Sequence, residues 1–156
     1  MSASGYSCTT EGAVALSAAT AKTIIGVKAH ANSGLQCKGF AVAFDGVTAS
    51  AVPVLVEFCY ATFATNSPGT NSTSTTPRQT YGRVLTAGFT SGKTWTTEPT
   101  ALTVIKEFLL APDKGLFAYQ FPLGQEPDTA LAEGLVIRCT APATVNVRSS
   151  MDVERI

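Results

Sequence analysis

Apolar and polar residues alternate with a period of two over Ala51 to Phe63, Ala101 to Leu110 and Thr144 to Glu154. That period sends successive side chains to opposite faces of an extended chain, so each stretch predicts a β-strand. Lys22 to His30, with Ile24, Ile25 and Val27, predicts another. Leu35 to Phe44 sets Phe40, Val42 and Phe44 against Cys37, Gly39, Ala41 and Ala43, a strand with large residues on one face and small ones opposite. Gln79 to Leu85, Leu116 to Pro122 and Leu135 to Thr140 complete the expected set. Turn residues punctuate it at Asp45-Gly46, at Pro112-Asp-Lys-Gly115 and around Leu123 to Pro127.

The only segment with any helical periodicity is Thr9 to Ala21, and it is weak. Roughly eight strands at turn-punctuated intervals predict an all-β fold, a jelly roll or β-sandwich over residues 22–156. Residues 1–21 are small and polar apart from Ala13-Val-Ala-Leu16, which predicts an extended N-terminal arm that orders against another surface. Asn66 to Pro77 is almost wholly Ser, Thr, Asn, Gly and Pro and reads as an exposed loop.

Composition narrows the partners. At 156 residues the chain is long enough for one domain with a core of its own. Charged residues make up 14% against a usual ~25%, which predicts that other protein covers part of the surface. Lys plus Arg equal Asp plus Glu, 11 each, so no net field gathers phosphates or anionic lipid, and neither nucleic acid nor a membrane is an expected partner. The most apolar window, Val52 to Ala64, is interrupted by Pro53 and Glu57 and is shorter than the ~20 residues of a spanning helix. The opening Met-Ser-Ala-Ser-Gly-Tyr does not resemble a signal peptide, so the expected compartment is a cytosol. Cys8, Cys37, Cys59 and Cys139 lack close pairing, and the last three sit among apolar residues. They are expected as reduced, buried thiols rather than disulfides or metal ligands.

Candidate chemistry is sparse. Ala87 to Thr94, ending Ser-Gly-Lys-Thr, fits a loose phosphate-loop pattern, but Thr96, Thr97 and Pro99 follow where a helix must start, so a Gly/Ser turn is expected instead. His30, the only histidine, is expected at a strand edge or turn, without a triad or a metal cluster. Glu57 and the Lys106-Glu107 pair are expected to face solvent or to form an ion pair between subunits; a glycosidase pair of carboxylates is the less favoured reading. Trp95, Phe89 and Tyr81 suit either protein-interface anchors, the preferred reading, or a sugar-binding platform. Asn71-Ser-Thr73 is a glycosylation sequon without a secretory context. No catalytic, cofactor or metal residue is assigned, and no enzyme activity is expected.

Phe44-Asp-Gly-Val-Thr-Ala-Ser-Ala-Val-Pro-Val-Leu-Val-Glu-Phe58, the Gly/Thr-rich run to Thr76-Pro77, and Glu98-Pro99 with Leu102-Thr-Val-Ile-Lys-Glu-Phe108 resemble small virion structural proteins of tailed, actinobacteriophage-like phages. Phe121-Pro-Leu-Gly-Gln-Glu-Pro127 and Gly134-Leu-Val-Ile-Arg-Cys-Thr-Ala-Pro142 extend the resemblance over about residues 22–154. It implies a capsid decoration, or cement, protein with a jelly-roll body. Such a protein binds the outside of the major-capsid shell as a homotrimer, and no catalytic residues are implied. The expected location is the capsid surface, with assembly in the host cytoplasm. The alternative is a head-fibre or tail adhesin that binds a host-surface glycan through loop aromatics such as Trp95.

Overall fold

The computed structural model describes residues 3–45 and 52–156. The turn expected at Asp45-Gly46 and the first residue of the strand expected from Ala51 lie outside them. Among the described residues twelve strands form two antiparallel sheets: β1 (Ser4–Thr9), β2 (Val14–Leu16), β3 (Ala21–Lys28), β4 (Leu35–Asp45), β5 (Val54–Thr62), β6 (Thr73–Thr75), β7 (Arg78–Tyr81), β8 (Thr90–Lys93), β9 (Ala101–Leu110), β10 (Phe117–Gln120), β11 (Gly134–Thr140) and β12 (Val145–Arg155). The first sheet runs β10-β4-β12-β1-β7, with β2 also on β12, and the second runs β6-β8-β3-β11-β5-β9. A single 3-10 turn, Pro112–Lys114, joins β9 to β10. The all-β sandwich expected from the alternating pattern is the fold of the chain.

Packing between the sheets follows from that alternation. β12 buries every second residue from Val145 through Val147, Ser149 and Met151 to Val153, and β4 turns Leu35, Cys37, Phe40 and Val42 inward. These meet Ile25, Val27, Val56, Phe58, Leu135 and Ile137 of the second sheet. At one flank the seam between the sheets is closed by rings. Phe40 stacks on Phe58 with centroids 5.0 Å apart, Phe108 lies 4.8 Å from Phe117, and Tyr119 meets Phe121 edge-on at 5.0 Å. Offset and edge-to-face pairs at such distances add to the burial of the rings themselves.

The second sheet is covered on its outer face as well. In register across its middle run Gly92, Gly26, Val136 and Cys59, and the indole of Trp95 lies over the two glycines. A Cβ at Gly26 or Gly92 would come within 3.0 or 3.1 Å of that ring, respectively. Trp95 Nε1 donates to the Asn66 carbonyl at 2.8 Å, and Phe63, Ala61 and Leu102 complete this smaller core. Glu98 ties the covering loop down. Its carboxylate accepts from the Thr23 N–H at 2.8 Å and from the Thr23 hydroxyl, while its carbonyl accepts from Asn66 Nδ2 at 2.9 Å. The 66–77 segment is therefore more than an exposed loop. Its Thr73–Thr75 strand pairs with β8, and the Thr75 and Ser91 hydroxyls meet at 2.7 Å in the interior.

The N-terminal arm is the expectation that the structure overturns. β1 pairs with β12 from Ser4↔Arg155 to Thr9↔Ser150, and β2 continues along the same edge from Val14↔Val147 to Leu16↔Val145. Between them the chain kinks outward at Glu11 and Gly12, both with positive φ. The Thr10 N–H donates to the Ser149 carbonyl at 3.0 Å and keeps the ladder in step. Tyr6, Cys8, Val14 and Leu16 are all buried in the main core. Small, polar residues hid this because Gly5, Ser7 and Thr9 form the outer face of a strand whose inner face carries few but well-packed side chains.

Deleting residues 2–20 is expected to unfold the protein rather than to leave a stable body. Each large apolar side chain lost from the core removes ~1.5–3 kcal/mol, so together they approach the ~5–15 kcal/mol net stability of a domain. The check is a thermal melt of the truncated chain, which should show no cooperative transition.

All four cysteines are free and buried. Burial, above other influences, pushes the Cys8 thiol up to about 12 and that of Cys59 up to about 11, and raises Cys37 and Cys139 as well. Thiolate is the reactive form, so native protein at neutral pH should leave all four unmodified by an aromatic disulfide reagent while unfolded protein exposes all four. Rapid native labelling of Cys37 or Cys139 would contradict the packing.

Candidate functional site

Most residues singled out in the sequence are placed in structural roles. Within the Ala87 to Thr94 segment, Thr90–Lys93 forms β8 rather than a turn, and no helix follows it. His30 sits exposed in a turn, its Nδ1 accepting the Asn32 N–H at 3.1 Å. Trp95 is 1% exposed, and Phe89 is buried edge-on against Tyr6 at 5.3 Å. Neither can serve as a loop-borne sugar platform or as an interface anchor. Glu57 is buried instead of facing solvent, and its partner is internal: Arg138 Nε donates to its Oε1 at 3.0 Å from the adjacent strand. The Glu57 carboxylate, more than any other group, raises the Arg138 guanidinium above its ordinary range. Glu107 is directly across from Glu57 on β9, and Lys106 faces the other way, 5.2 Å above the Tyr119 ring.

Tyr81 is the exception, and a polar chain on the outer face of the first sheet is built around it. In one row across three strands lie Tyr81 of β7, Gly5 of β1 and Glu154 of β12. Gly5 has no side chain, and the Tyr81 ring lies across the space: a Cβ on Gly5 would fall 2.1, 2.3 and 2.7 Å from three ring carbons. An aromatic laid over a cross-strand glycine is a recognised way of covering exposed backbone. From there the Tyr81 hydroxyl donates to Glu154 Oε2 at 2.7 Å. Burial first, and then this carboxylate, push the phenol up to about 12.

Lys38 carries the chain onward. Its Nζ lies 3.7 Å from Glu154 Oε1 and 3.2 Å from Glu126 Oε1, and it donates to Gln36 Oε1 at 2.9 Å. Glu126 is held below the ordinary carboxylate range, chiefly by its own backbone N–H, with help from Lys38 and the Gly124 N–H.

Two β-bulges aim these side chains. Along β4, Gly39 pairs with Asp152 and Cys37 with Val153, leaving Lys38 as the extra residue. Along β7, Tyr81 pairs with Gly5 and Gln79 with Tyr6, leaving Thr80 extra. A bulge bends its strand and redirects the side chains beside it, and bulges are concentrated at sheet edges and next to functional sites. Between the bulges is a groove of about 500 Å³ lined by Lys38, Tyr81, Gln120, Leu123, Glu126 and Asp152. A second hollow of about 410 Å³ shares Lys38, Gln120 and Asp152 and extends it along β10.

None of this was legible as a cluster in the sequence, because Lys38, Tyr81, Glu126 and Glu154 come from four separate segments. The one local signal is a glycine within an alternating strand, and it does not announce its cross-strand neighbour. Among the described residues no group of histidines, cysteines and acids is placed to hold a metal ion. No helix is long and apolar enough to cross a membrane. Compared with known proteins, the chain matches no family model, no curated protein and no solved structure.

Proposed function

We propose that the chain is a virion structural protein, a capsid decoration protein that binds the outside of a major-capsid shell and adds contacts that must break before neighbouring subunits separate. The reading starts from the resemblance of residues 22–154 to tailed-phage structural proteins, which also carries the homotrimer. The observation that supports it in the fold is the flank where both sheets end, at β9 and β10.

β9 is a ten-residue strand with a neighbour on one side only among the described residues. A long edge strand is a template for pairing with another chain, and natural proteins blunt such edges with charge, proline or a covering element. Here the charges are confined to Lys106 and Glu107. Leu109 is 70% exposed on one side of the β9–β10 connection and Leu116 is 68% exposed on the other, with Val104 further along the strand. Beneath them Phe108, Phe117 and Tyr119 are only partly buried. An apolar corner of this kind suits a partner subunit, and cement contacts of ~1,000 Å² or more would cover it.

The test uses shells of the major capsid protein assembled without this chain. Added protein should bind to saturation at many copies per shell, visible as regular surface density by cryo-electron microscopy. Leu109→Asp, at an exposed position on the outer side of β9, should keep the melting temperature while weakening attachment at least about tenfold. Absence of binding to shells, or density restricted to the tail tip, would exclude the decoration role.

A further inference from the structure

The geometry points to the groove between the two bulges as a binding site for a neutral oligosaccharide, on a face separate from the β9 edge. Its floor is a fixed aromatic plane. The Tyr81 ring has one face against Gly5 and its hydroxyl tied to Glu154, yet it remains 49% exposed. A ring locked in this way presents its free face to the C–H side of a pyranose at little conformational cost, since it has no freedom left to lose. Leu123, 93% exposed on the turn beside it, supplies a second apolar contact.

The polar groups in the groove divide into those already engaged and those still open. Lys38, Glu126 and Glu154 satisfy one another and Tyr81. Asp152 and Gln120 line the same groove and are exposed to solvent, and no protein group among the described residues is hydrogen-bonded to their side chains. A carboxylate that only accepts, next to an amide that both donates and accepts, matches the paired hydroxyls of a sugar. Both open groups sit on strands rather than on loops, Asp152 on the central β12 and Gln120 at the end of the edge strand β10, each opposite Gly39 from its own side. At Gly39 the β10 backbone comes close, since a Cβ there would fall 2.8 Å from the Tyr119 carbonyl oxygen.

Charge selects among ligands. The carboxylates of Asp152, Glu126 and Glu154 outnumber the single ammonium of Lys38, so an acidic sugar or a phosphate is repelled. A simple cation would engage Asp152 alone, because the other carboxylates already have partners, and would leave the ring unused. The groove volume, about 500 Å³, is within the ~300–1,000 Å³ of small-ligand sites. The adjoining hollow of about 410 Å³ gives room for a second ring, which favours a chain of sugars over a monosaccharide.

The experiment is a nuclear magnetic resonance titration of the full chain with linear trisaccharides of glucose, mannose, galactose and N-acetylglucosamine, and with a sialylated trisaccharide as the acidic control. At least one neutral trisaccharide should shift the Tyr81 ring together with the Gln120 and Asp152 amides, and the sialylated one should not. Asp152→Asn keeps the shape of the groove and should weaken binding at least about tenfold. Tyr81→Ala should abolish it, with the melt of each variant confirming the fold. Because Asp152→Asn leaves the β9 flank untouched, shell attachment should be unchanged by it. No shift with any neutral trisaccharide, shifts that survive both substitutions, equal binding of the acidic control, or loss of shell attachment in Asp152→Asn would each overturn the glycan assignment.

Discussion

The second sheet is buried on both faces across Gly92, Gly26, Val136 and Cys59, and much of the molecule is arranged around that fact. A sheet covered once can send polar side chains out at every second position; one covered twice cannot. β11 therefore holds Leu135, Val136 and Ile137 in succession and β5 holds Phe58 and Cys59, all buried, with Val136 and Cys59 turned to the outer cover. The second cover has no sheet of its own to draw on, so it is made from loops, and loops bring unpaired backbone with them. Their polar groups are met by specific partners: Glu98 holds Thr23, Asn66 accepts from Trp95, and Thr96 donates to Asn71. Among the described residues no buried side-chain nitrogen or oxygen lacks a hydrogen bond. The trough that admits the indole exists because Gly26 and Gly92 fall in register.

The same double burial explains the ion pair of Glu57 and Arg138. Glu57 and Arg138 sit on adjacent central strands of this sheet, next to the loop-covered half of its outer face. A carboxylate removed from water without a partner would be costly, whereas a hydrogen-bonded pair largely offsets its desolvation. The pair occupies the position where the apolar cover ends, so its ions are only partly withdrawn from solvent. Its use is as much positional as energetic, since it fixes where β5 and β11 stop presenting small apolar residues such as Cys59 and Val136.

How far the sequence could be read depended on side-chain size. β4, β5, β9 and β12 carry large residues at every second position, and the pattern located them to within a few residues. β1 carries the same period but with Tyr6 and Cys8 as its only sizeable inner residues, between Gly5, Ser7 and Thr9. Such a strand gains its stability from β12, more than a hundred residues away, and local periodicity does not report that. β6 and β8 were missed for the same reason: Thr, Ser and Gly form a strand there only because β3 and the indole are beside them. Trp95 misled because an aromatic between Thr and Pro residues looks exposed, and its burial depends on a glycine pair that becomes a trough only after the strands align.

The polar site was illegible for a further reason, which bears on what the fold can do. Its members are individually unremarkable: a lysine in a strand, a tyrosine before a glycine, two glutamates. They become a unit through two bulges, each shifting one strand by a residue against its neighbour, and through Gly5, whose missing side chain leaves the place that the Tyr81 ring covers. The departures from regular pairing on the first sheet thus coincide with the place where its outer surface becomes concave and carries open polar groups. β9 keeps its edge long, with Leu109 and Val104 exposed, while its own irregularity, opposite Phe58 and Cys59, borders a hollow of about 470 Å³ lined by Ile105, Lys106, Tyr119, Gln125, Glu126 and Asp128. A surface made for close protein contact needs continuity, while one made for a small polar ligand needs a hollow with unsatisfied donors and acceptors. In the proposed reading the protein contact runs along the outer side of β9 and the ligand groove along the bulges of the first sheet, so a substitution in one can leave the other intact.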